Sequence, residues 1–157
     1  MRLAKYLSGV VLCLTFAAQA QMQNCPAHPA TLEEMRDCYR PLLIFAPDSG
    51  DALLTHQLAE LAGHAAELNE RNILVVINIA DRQQLQTTEL QTFPATQLGP
   101  DESRKLRDRF KVSDGSFAVV LVGKDGGEKM RSQKLVTVEN LNHRIDAMPM
   151  RRAEQNR

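Results

Sequence analysis

The chain has no Cys-x-x-Cys pair, no basic cluster and, beyond its first twenty positions, no apolar run long enough to cross a membrane. Each absence excludes something. Without closely spaced cysteines a dithiol catalytic motif has no support. Nonspecific nucleic-acid binding depends on clustered Lys and Arg, whereas this chain balances 19 basic against 19 acidic side chains. A helical span needs about 20 apolar residues, so no membrane insertion is expected once the N-terminal segment is gone. Two cysteines with no nearby partner do not make a metal site, and Ser49 has no evident His–Asp partnership for hydrolysis. Neither a cofactor nor a metal is expected.

What is present begins with a leader. Arg2 and Lys5 form a basic start, Leu7 to Ala18 is an uncharged, mostly apolar run, and Ala18-Gln19-Ala20 places small residues where a signal peptidase reads. Residues 1–20 are therefore expected to be a cleavable signal peptide, cut after Ala20, which puts the mature protein in the periplasm or outside the cell. The remainder is the size of one domain. Loss of Arg2, Lys5 and Cys13 with the leader tips the charge slightly acidic and leaves Cys25 and Cys38. In an oxidising compartment such a pair is more often a structural disulfide than two thiols. Closing this loop would contribute about 3 kcal/mol on the chain-entropy view.

Along the chain, Thr31 and Glu34 make a capping-box pattern opening a short helix to about Cys38. Leu42-Leu43-Ile44-Phe45 is a continuous apolar run suited to a strand buried on both faces. Pro47 to Asp51 is a turn, with Asp51 a helix cap. Leu54, Leu58, Leu61, Ala65 and Leu68 then share one face of a single long helix, with His56, Glu60, His64 and Glu67 on its polar side. Ile73 to Ile77 is a second buried strand, completing a right-handed βαβ unit. A short extra element is expected near Leu85 to Phe93, because a structureless loop that long is unusual. Pro100 and Asp101 open a charged helix, Phe117 to Val122 forms a third strand, and Asp125-Gly126 marks a hairpin into a polar edge strand. Thr137 caps a last helix carrying Leu141, Ile145 and Met148, and Pro149 ends or kinks it.

That order defines an α/β, thioredoxin-like βαβαββα domain with an N-terminal helical extension: an arm over 21–40, the domain over 41–152 and a tail over 153–157. In such folds the reactive group sits where the first core strand turns into its helix, and a proline precedes the third core strand. Here the turn reads Asp48-Ser49-Gly50-Asp51, and Asp114-Gly115-Ser116 precede Phe117. Neither redox hallmark is present, nor is the threonine–cysteine pair that peroxiredoxins place at the same turn.

The segment Phe117 to Lys129 with Arg131, the segment Ile145 to Arg152 with Glu154, and the run Arg40 to Pro47 resemble the family called domain of unknown function 4174. The resemblance spans about Leu32 to Glu154. It implies a bacterial exported protein of thioredoxin- or peroxiredoxin-like fold with no assigned catalytic residues. It also implies kinship with domains of extracellular vertebrate proteins, including sushi-repeat proteins, which favours binding over catalysis. Within these motifs Lys124, Lys129 and Arg131 surround the hairpin while Arg151 and Arg152 follow the last helix. Converging, they would hold a carboxylate or phosphate; the plainer account is that they are solvated charges beside Asp125, Glu128 and Asp146. The sequence thus points to a noncatalytic binding module for an unidentified protein or small anionic ligand of the cell envelope. The alternative is a divergent thiol–disulfide or peroxide-related redox protein using Cys25 and Cys38.

Overall fold

A computed structural model describes residues 25–80 and 92–156. The expected leader lies outside the described residues, as does most of the stretch near Leu85 to Phe93. Five strands form one sheet: β1 (Arg40–Ala46), β2 (Ile73–Ile79), β3 (Ala95–Gln97), β4 (Ala118–Val122) and β5 (Glu128–Ser132), in the order β3-β2-β1-β4-β5. β1 runs parallel to β2 over its whole length, from Arg40 opposite Ile73 to Ala46 opposite Ile79. β3 adds a parallel edge, and β4 and β5 are antiparallel. The helices are α1 (Leu32–Met35), α2 (Ala52–Leu61), α3 (Ala65–Glu70), α4 (Pro100–Phe110), α5 (Val138–Asp146) and α6 (Pro149–Gln155).

β1 is buried at every position because it lies mid-sheet with helices on both faces. Its side chains alternate between two cores. Leu42, Ile44 and Ala46 join Leu54, Leu58, Leu61 and Leu68 of α2 and α3, together with Leu141 and Ile145 of α5. Leu43 and Phe45 face the opposite layer, with Met35 of α1 and Leu106 and Phe110 of α4. Each such side chain contributes about 1.5–3 kcal/mol by leaving water. Gln57 is fully buried on α2, where its amide both donates to the Val136 carbonyl and accepts from the Val136 N–H, each at 2.8 Å.

Three local expectations are corrected. The single long helix is two, because Gly63 takes φ +97° and ends α2. The apolar spacing did not register the break, since both pieces turn their leucines to one core. α1 stops at Met35, before Asp37 adopts φ 62°. Pro149 neither merely ends nor kinks α5: it opens a separate helix, α6, which takes in the expected tail as far as Gln155. The short β3 supplies an extra element just beyond the stretch where one was expected.

The N-terminal arm is tied down covalently. Cys25 and Cys38 form a disulfide, with Cα atoms 5.5 Å apart. Tyr39 Oη donates to the Pro26 carbonyl at 2.7 Å on the same arm.

Candidate functional site

Parallel strands β1, β2 and β3 all end at one edge of the sheet, together with the turn into α2 and the loop that precedes β4. Ligands of open α/β sheets gather at the carboxyl ends of strands. At the turn itself, Asp48 Oδ1 accepts the Gly50 N–H and Asp51 Oδ1 accepts the Leu54 N–H, both at 2.8 Å. The carboxylates thus cap the turn and the first amides of α2. No cysteine stands there, and the disulfide lies before β1, on the N-terminal arm.

Beside this turn the guanidinium of Arg107 is buried, with the residue 6% exposed. It gathers the three segments of this edge. Nη2 donates to the carbonyls of Ala46 at 2.7 Å and Asn78 at 3.0 Å, Nε to Asn78 Oδ1 at 2.9 Å, and Nη1 to the Ser113 carbonyl at 2.9 Å. Asn78 in turn donates to the Ser103 carbonyl at 2.9 Å. The Arg107 guanidinium also lies 5.5 Å from the centre of the Phe45 ring. Burial pulls its pKa below the ordinary arginine value, with only partial relief from Asp114. Against α4, β2 and β3 a cavity of about 310 Å³ opens, lined by Asn78, Gln97, Ser103, Arg104, Arg107 and Asp114 among others.

The five cations picked out by sequence do not form one group. Lys129 Nζ pairs with Asp125 Oδ2 at 2.5 Å, within the hairpin. Arg131 pairs with Glu128 at 2.7 Å and donates to the Phe110 carbonyl. Arg152 is exposed. Only Lys124 and Arg151 come together, at the edge opposite the cavity, where β1 begins. Lys124 Nζ lies 2.9 Å from both Glu154 Oε1 and Asn72 Oδ1. Arg151 reaches Glu70 at 2.5 Å, Asp146 at 3.4 Å and Glu154 at 3.9 Å. Arg40, 1% exposed, completes the cluster by donating to Glu154 at 3.1 Å and to the Arg71 carbonyl at 2.8 Å. Arg71 meets Asp146 at 2.8 Å.

These contacts give the family-like motifs a structural job: Arg40, Lys124, Asp146, Arg151 and Glu154 hold one end of the molecule together. Burial raises the Glu154 pKa, but hydrogen bonds and charge from Lys124 and Arg40 outweigh it, so the carboxyl ends below its ordinary value. The hydrogen bond from Arg71 chiefly lowers that of Asp146. The hairpin loop belongs to the same scaffold. A side chain at Gly123 would strike Lys129, and Gly126 takes φ +78° while its carbonyl accepts from Arg109.

Of the polar side chains expected along this helical stretch, His64 sits at the start of α3 with Nδ1 2.8 Å from Glu67 Oε1. Asn142 also donates to Glu67, joining α3 to α5. No group of three His, Cys, Asp or Glu side chains is gathered for a metal among the described residues.

Arg107 and Asn78 were missed by sequence reasoning. A faint signal existed: Asn78 interrupts the apolar run of β2, and Arg107 stands between Leu106 and Phe110 on the buried side of α4.

Among solved structures, the chain is similar to AhpC of Enterococcus faecalis (TM-score 0.57, 19% identity, 80% of this chain and 82% of that one). It is also similar to the exposed lipoprotein thioredoxin Etrx1 of Streptococcus pneumoniae (0.52, 13%, 74% and 90%). StoA of Bacillus subtilis gives 0.51 at 15% identity, over 68% and 82% of the two chains. At these identities the likeness establishes the thioredoxin-like fold. No curated protein matches. The model of the family described as domain of unknown function (DUF4174) matches residues 31–154, and the chain belongs to that family.

Proposed function

We propose that this protein is an exported thioredoxin-like binding module that does no redox chemistry of its own. The observation that carries the reading is the turn after β1, where Asp48 and Asp51 cap backbone amides in the position a redox relative gives to its nucleophile. Two carboxylates there would repel a thiolate or a peroxide anion. The sheet edge that serves catalysis in redox relatives is left as a cleft with a buried cation. The leader-like start, and the exposed lipoprotein thioredoxin among its structural relatives, support a site of action outside the cytoplasm.

The rival reading is thiol–disulfide exchange through Cys25 and Cys38, favoured by the exposure of Cys25. One experiment separates the two. The protein is purified from its own cell envelope, its intact mass is read after alkylation with and without mild reductant, and peroxide and dithiol turnover are assayed. A binding module shows a chain beginning at Gln21 with its disulfide closed and unmoved by mild reductant, and no turnover. A pair found partly reduced in the cell, or turnover lost in Cys25→Ser, overturns the reading in favour of the redox one.

A further inference from the structure

Among the described residues, the environment of Arg107 gives its charge one counterion, Asp114, and that one is water-exposed. The four hydrogen-bond acceptors of Arg107 are three backbone carbonyls and one amide oxygen, all neutral. The nearest carboxylate, Asp114, stands 3.7 Å away with its side chain 86% exposed to water. A guanidinium has five N–H donors, so one hydrogen on Nη1 remains without an acceptor among the described residues. A buried charge paired only with an exposed carboxylate is costly, and chains normally pair such a charge more closely. Here the group instead borders an open cavity of about 310 Å³, at the small end of the range for ligand pockets.

Two further features give that cavity one sign. α4 opens on it through Gly99 and Pro100 with no side-chain cap, so its positive end faces the space. Arg104, whose side chain is 64% exposed and paired with Asp101, stands at the rim one turn from Arg107. Asp114 is the opposing charge on the lining, and it disfavours a doubly charged guest.

We propose that this cavity binds the carboxylate of a small organic monoanion, held by Arg107 from below and Arg104 from the rim. This rests on the binding-module reading and adds to it a site and a ligand class. The open Nη1 hydrogen of Arg107 donates to one carboxylate oxygen. The first turn of α4 and Arg104 face the other, and the rest of the ligand lies along Gln97 and Leu98. Phosphate is disfavoured because its second charge meets Asp114 while a single buried donor is open to it.

The test is a ¹H–¹⁵N NMR titration of the full mature chain with sodium butyrate, and in separate arms with inorganic phosphate and sodium chloride at matched ionic strength. Butyrate is expected to move the Asn78, Gly99 and Ser103 amides and the Arg107 Nε–H saturably. Chloride is expected not to, and phosphate to bind more weakly than butyrate. Two rim variants that leave the core intact fix the site. Arg104→Gln should weaken butyrate about two- to fivefold and Asp114→Asn should tighten it by a similar factor, the range of one exposed charge. Absence of saturable shifts, shifts elsewhere on the surface, tighter binding of phosphate, or indifference to both variants would each overturn the proposal. Such a failure leaves the binding-module reading standing, because that reading falls only to measured turnover or cycling of the cysteines.

Discussion

Adjacent arginines on α6 show how differently two side chains of one type can be used. Arg151 is buried against Glu70, Asp146 and Glu154, whereas Arg152 faces water. Arg151→Gln is expected to destabilise the protein by about 2 kcal/mol, since it strips charged hydrogen bonds from a mostly buried group. Arg152→Gln should stay within about 0.5 kcal/mol, as exposed substitutions do. Urea unfolding of the two variants checks this; equal effects would mean the Arg151 contacts contribute nothing. Gln57 is a second such position. Gln57→Leu keeps the volume but leaves the Val136 N–H and carbonyl buried without partners, at an expected cost of about 2–4 kcal/mol in the same assay.

Strands, capped helices and hairpin are what the sequence made legible, because each depends on neighbours a few residues away. Ile73 to Ile77 and Phe117 to Val122 are apolar without interruption because helices cover both faces of the sheet. Asp51 and Thr137 cap their helices as read. What escaped is nonlocal. Arg40 and Glu154 lie 114 positions apart, and Arg71 and Asp146 lie 75 apart, so no spacing rule brings them together. Charged residues near the hairpin therefore looked like a candidate ligand site when most are met by carboxylates of the same chain. Arg107 was hidden for the reverse reason, since charge on a charged helix draws no notice until the helix packs. The break at Gly63 belongs to this scale too. Gly63→Ala meets no atom within 4 Å, so its cost is backbone strain alone, about 1–2 kcal/mol. A loss in thermal stability with unchanged circular dichroism is the expected result.

For the molecule as a whole, pH dependence follows from the carboxyls. Asp146, Glu154, Asp125 and Glu128 all sit below their ordinary values when folded, chiefly through partners on Arg71, Lys124, Lys129 and Arg131, against the opposing pull of burial. A depressed carboxyl contributes stability that is fully present above its unfolded pKa of about 4 and is lost as pH falls through the folded value. The midpoint of thermal unfolding should therefore hold steady from pH 7 to about 5 and drop steeply below 4. Glu154→Gln should flatten part of that fall, and an unchanged profile in the variant would remove Glu154 from the account.

The clasp of Arg40 by Glu154 also sets a schedule for the growing chain. The strand at the middle of the sheet carries a buried cation whose carboxylate lies 114 positions further along the chain. Until residue 154 has emerged, that strand holds a charge with nothing to neutralise it, and the nascent chain has reason to stay open. A chain ending at Ala147 should accordingly fail to unfold cooperatively, while the full chain does.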